Sequence, residues 1–85
     1  MKKVKRENIS DHLVEYQFNM IGKDYKTVFL DDDKWKFNCT MTRKQYMEFH
    51  KYAVSLMMKT FRCNKNKAIS NFEWYWEQFG VRISN

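Results

Sequence analysis

Eighty-five residues with no proline and two glycines make one small domain, 1–85, and exclude collagen-like, linker-rich and disordered classes. An apolar fraction of 44%, with 18% aromatic residues, supplies enough large side chains for a core, while the uninterrupted run of about 18 apolar residues that a membrane span needs is absent. A formal charge of +6 favours nucleic acid or acidic protein surfaces as partners without choosing between them.

The chain opens on MKKVKRENIS, which reads as a flexible basic arm over 1–8 carrying Lys2, Lys3, Lys5 and Arg6. No apolar h-region follows it, so the expected compartment is a cytosol. ISDHLVEYQFNMIG predicts a helix over 10–21, capped by Asn8 or Ser10 and ended by Gly22. A strand competes there, because Val14, Tyr16, Phe18 and Met20 alternate with Glu15, Gln17 and Asn19. In WKFNCTM, Trp35, Phe37, Cys39 and Met41 alternate strictly; paired with YKTVFL across DDDK, this stretch would form a β-hairpin within 25–41.

Thr42 and Gln45 have capping-box spacing, with Met41 and Tyr46 placed as a hydrophobic staple, so a helix begins at 43. Tyr46, Phe49, His50, Ala53, Val54, Leu56, Met57 and Phe61 carry it to 62. At about 100° per residue their arc covers roughly 200°, which predicts a central helix with neighbours on two sides. After the basic turn RCNKNK, a third helix runs over 66–79, capped by Asn64 or Asn66. Gly80 is expected to end it in a Schellman-type cap with Val81 folding back, and VRISN to be a docked tail or edge segment. The fold class is mainly α, a compact three-helix domain over 10–21, 43–62 and 66–79 with room for the hairpin. The alternative is α+β, a three-stranded antiparallel meander followed by two helices.

The pattern argues against an enzyme and against a bound metal or cofactor. Cys39 and Cys63 have no CxxC spacing and read as free, partly buried thiols; with His12 and His50 they lack finger-type ligand spacing. His50 sits mid-arc as a core histidine, and His12 reads as solvated. Asp31, Asp32 and Asp33 form a solvated acidic turn, and Gly22 and Gly80 stand alone, so no glycine-rich loop cradles phosphate.

Binding is the remaining chemistry. Lys59, Arg62, Lys65 and Lys67 crowd the second interhelical turn, where a helix N-terminus also favours anions. With the arm, this turn is the candidate contact for DNA or RNA phosphates. Glu73 and Glu77 on the outer side of the third helix argue against its lying in a groove. Setting Phe72 at zero on a wheel of about 100° per residue, Ala68, Ile69, Tyr75, Trp76 and Phe79 share its arc of roughly 120°. Trp74 falls about 200° away, above Lys67 and Asn71. It is either a second-face core residue or an exposed anchor for a partner.

TMTRKQYMEFHKYA, KTFRCNKNKA and WYWEQFGVRI together resemble a group of small tailed-phage and prophage proteins. Their pattern is a T-x-T-x-x-Q helix start, a basic turn, a W-[FY] pair and a terminal [FY]-G-[LV]-[KR]-[IV]. EYQFNMIGK is similar to the segment that opens them. The likeness covers most of the chain and is strongest over 40–83; it departs at Trp76-Glu77 and over 24–38. It implies a phage accessory protein in the host cytoplasm that binds a host or anti-phage defence protein, and it carries no catalytic residue.

Overall fold

The computed structural model describes residues 4–23 and 39–84. The elements run α1 (Ile9–Met20), β1 (Thr40–Thr42), α2 (Arg43–Phe61), α3 (Lys65–Phe79) and β2 (Arg82–Ser84). All three helices match the predicted ones to within one residue at each end.

Over 9–20 the helix wins over the strand for a packing reason. Ile9, Leu13, Val14, Gln17 and Phe18 are buried, a helical spacing. A strand would have buried Val14, Tyr16, Phe18 and Met20 and put Gln17 in water. Instead Gln17 is 0% exposed and its Nε2 donates to the Phe79 carbonyl over 3.0 Å. The meander is therefore not supported. Asn8 is the N-cap, but its Oδ1 accepts from the Lys5 backbone N–H at 2.7 Å instead of capping α1. Gly22, at φ +71°, ends the helix: its N–H reaches the Asn19 carbonyl and that of Lys23 reaches Phe18, the paired bonds of a Schellman motif.

Most of the predicted hairpin, with Trp35, Phe37 and the Asp31–Asp33 turn, lies outside the described residues. Its end, Thr40–Thr42, is a strand that keeps the expected alternation, with Met41 buried between exposed threonines. Its observed partner lies at the other end of the chain. β1 pairs in parallel with β2, Thr40 opposite Arg82 and Thr42 opposite Ser84. A parallel pair needs a crossover connection, and the α2–α3 hairpin provides it.

The capping box forms as predicted. Thr42 Oγ1 accepts from the Gln45 N–H at 3.0 Å, and Gln45 Oε1 accepts from the Thr42 N–H at 2.9 Å. Gln45 Nε2 also donates to the Met20 carbonyl, fastening the end of α1 to the start of α2. α2 is central. Toward α1, Tyr52 stacks on Tyr16 with ring centres 3.9 Å apart. Toward α3, Tyr46 meets the edge of Trp76 at 4.8 Å and His50 that of Phe72 at 4.7 Å. Phe49 sits between, touching Tyr16 on α1 and Phe72, Tyr75 and Trp76 on α3.

Two helix ends depart from expectation. Gly80 is extended (φ −71°, ψ 147°), not left-handed, and its N–H bonds to the Trp76 carbonyl. A side chain there would collide with the Trp76 indole, so this glycine answers a close approach and not a turn. Val81 is nonetheless buried. The left-handed residue at the end of α2 is Arg62 (φ 52°, ψ 52°), a conformation that costs a non-glycine residue roughly 1 kcal/mol or more.

Tyr75 is 1% exposed, and its hydroxyl has no hydrogen-bond partner among the described residues. Burial holds its ionisation far above the ordinary phenol value. Replacing it with phenylalanine is expected to leave neutral-pH stability unchanged or raised by up to about 1 kcal/mol, since an unpaired hydroxyl is removed. Alkaline stability should change more. Above about pH 10 the unfolded chain releases the phenolic proton and the folded chain keeps it, so unfolding gains. Urea midpoints for Tyr75→Phe should therefore fall less between about pH 9 and 11. Tyr46 and Tyr52, raised first by burial and then by Glu73 and Tyr16 respectively, keep a smaller slope of the same sign.

Candidate binding surface

α3 carries the aromatic run, and its geometry sorts the rings. Ala68, Phe72 and Tyr75 are buried, and Ile69, Trp76 and Phe79 pack half-buried against the core. Trp74 is 59% exposed. It lies on the surface and not in a second-face core. Lys67, Asn71 and Gln78 share its side, with Lys67 two turns back, roughly 10 Å along the axis. Glu73 and Glu77 flank it and are exposed.

One group of basic residues lies at the turn between α2 and α3. Asn64 caps α3, its Oδ1 accepting from the Lys67 N–H at 2.8 Å. Lys65 and Lys67 occupy the first turn of α3, which holds no acid. Cations there oppose the helix macrodipole, by roughly 0.3–1 kcal/mol each. Lys59 and Arg62, at the end of α2, are favoured by the same effect. Arg6 joins them. Its Nη2 donates to the Phe61 carbonyl at 3.4 Å, and its guanidinium carbon lies 5.6 Å from the Phe61 ring centre. Arg6 is thus placed against the end of α2, and Lys5, Lys59, Arg62, Lys65 and Lys67 are all exposed. Lys2 and Lys3 lie outside the described residues.

The groups considered for catalysis are engaged in packing. His50 is half-buried against Tyr46 and Phe72. His12 is not simply solvated: its Nε2 shares a 2.6 Å hydrogen bond with the Tyr52 hydroxyl, directed by the imidazole tautomer. Burial raises the Cys39 thiol, with Lys23 opposing, and Cys63 Sγ lies 3.8 Å from the Met57 carbonyl. Among the described residues, no three His, Cys, Asp or Glu side chains assemble around a metal-sized space. No described helix is long and apolar enough to cross a membrane.

Sequence reasoning missed one concavity. Arg43, Tyr46 and Met47 of α2 line, with Ile83 of β2, a groove of about 470 Å³. Met47 is 64% exposed and Ile83 38%. The available signal was the absence of Met47 from the apolar arc of α2. No protein-family model, curated protein or solved structure matches the chain.

Proposed function

We propose that this chain is a non-enzymatic binding protein that acts by occupying a partner protein, with Trp74 as its anchor. The exposure of Trp74 carries this reading. A tryptophan left 59% open on a rigid helix exposes apolar area that the core does not need, and tryptophan is enriched among residues that dominate interface energy. The likeness to small tailed-phage proteins supports a phage accessory role in the host cytoplasm, with a host or anti-phage defence factor as the target.

Trp74→Ala should leave the melting temperature nearly unchanged, as substitutions of exposed residues do, within about 0.5 kcal/mol. In affinity capture from nuclease-treated, phage-infected lysate, the partner seen with the parent chain should be lost, a hot-spot effect of about 2 kcal/mol or more. Capture unchanged by the substitution would remove Trp74 from the interface.

A second reading, nucleic-acid binding, is favoured by the docking of Arg6 beside Lys59, Arg62, Lys65 and Lys67. Glu73 and Glu77 confine phosphate contact to that end. Gel shifts across a salt series separate the two readings. Phosphate binding weakens with a log–log slope of about −0.9 per phosphate contacted on duplex DNA, and absence of a shift at low salt would end this reading.

A further inference from the structure

We propose that the groove between the first turn of α2 and β2 takes an acidic, extended segment of a partner protein. One apolar side chain sits on Tyr46, Met47 and Ile83, and a neighbouring carboxylate pairs with Arg43. This surface is separate from Trp74 and lies at the opposite end of α2 from the basic turn.

Shape and charge both point to this occupant. The groove is about 470 Å³, and its described walls are an aromatic ring, a thioether, a β-branched chain and the Arg43 guanidinium. Methionine on an open surface adapts to varied apolar ligands. Every residue of β2 is exposed, so an extended chain can lie along it. Among the described residues three cations, Arg43, Lys44 and Arg82, stand at the groove, against Glu73, whose charge reaches Tyr46. Arg43 and Lys44 begin α2, no acid occupies its first turn, and Arg82 opens β2. Glu48 is adjacent to Met47 in sequence but turned by about 100° toward the α1 side.

The same charge argues against a second copy of this chain. A two-fold interface places a patch against itself, which would bring Arg43 and Lys44 of each copy together. A nucleic acid would find the cations but leave Met47 and Ile83 uncovered. A carboxylate beside an aliphatic or aromatic side chain satisfies both.

The test uses the full chain and a fluorescein-labelled peptide in which one leucine is flanked by glutamates. Its controls replace the leucine with serine or the glutamates with lysine. Amide chemical-shift mapping should place the perturbations at Arg43–Met47 and Ile83. Arg43→Ala and Met47→Ala should each weaken binding by about fivefold or more, the effect of losing an interface residue worth over 1 kcal/mol. Both substituted residues are exposed, and unchanged melting temperatures would show that the variants fold. Trp74→Ala should bind the peptide as the parent does, so failure at either surface is read independently. The proposal is overturned if the peptide perturbs none of these residues, or if the serine control binds equally. A dimer in sedimentation that Met47→Ala abolishes would assign the groove to a second copy. Oligonucleotide shifts at the same residues, with the peptide silent, would assign it to nucleic acid.

Discussion

Phe49→Ala should destabilise the protein by about 3–5 kcal/mol, the range for emptying a buried aromatic site. Phe49 is 0% exposed and its ring touches Tyr16, Phe72, Tyr75 and Trp76, so it is where α1 and α3 both meet α2. Those neighbours are large rings on the two flanking helices, one on α1 and three on α3, and none can swing into the vacated volume without leaving its own contacts. The cavity term therefore adds to the lost transfer energy instead of relaxing away. Total stability for a chain of this size is roughly 4–13 kcal/mol, so the loss is a large share of it. Urea unfolding should show a sharply lower midpoint for Phe49→Ala and a smaller drop for Phe49→Leu, which retains most of the volume. A loss under about 1 kcal/mol for the alanine variant would mean that the ring is not a shared contact.

Gly80→Ala should cost about 1–3 kcal/mol, the range for overpacking, although the glycine has an ordinary extended backbone. The added methyl collides with the Trp76 indole and with the Trp76 carbonyl that receives the Gly80 N–H. Trp76 is itself held between Tyr46 and Phe72, so its ring cannot yield freely. The strain falls where α3 hands the chain to buried Val81 and then to β2. A double-mutant cycle isolates the cause. Once Trp76 is shortened to alanine, part of the Gly80→Ala penalty should vanish, leaving the carbonyl clash. Additive losses would place the strain elsewhere.

What could be read in advance was local or periodic. The capping box at Thr42 and Gln45, the stop at Gly22 and the burial of Phe72 and Tyr75 opposite Trp74 all follow from spacing within a turn or two. What could not be read depends on the chain returning to itself. Thr40–Thr42 alternates like any strand, and only the helical hairpin delivers Arg82–Ser84 beside it in parallel. Gln17 looks like a water-facing residue until the Phe79 carbonyl is placed within its reach. His12 acquires Tyr52, and Arg6 acquires Phe61, in the same way. Gly80 invited a turn because glycine ends many helices, whereas the deciding neighbour was an indole one turn back. The candidate surfaces divide along the same line. The exposure of Trp74 was one of two outcomes on a helical wheel, but the groove joins Arg43, Tyr46 and Met47 to Ile83, and no window of sequence holds them together.

The bond from Gln17 to the Phe79 carbonyl spans 62 positions, and that from Ser84 Oγ to the Met41 carbonyl spans 43. Both links close loops far longer than the turn of three residues, Arg62–Asn64, across which α2 and α3 meet. On that ground assembly is expected to begin with the α2–α3 pair and to finish with α1 and the strand pair, an order that folding rates of variants in each element would check. Native-state amide exchange is expected to show transient opening in the reverse order. The helix bearing Trp74 should then exchange slowest, and the groove wall formed by β2 fastest.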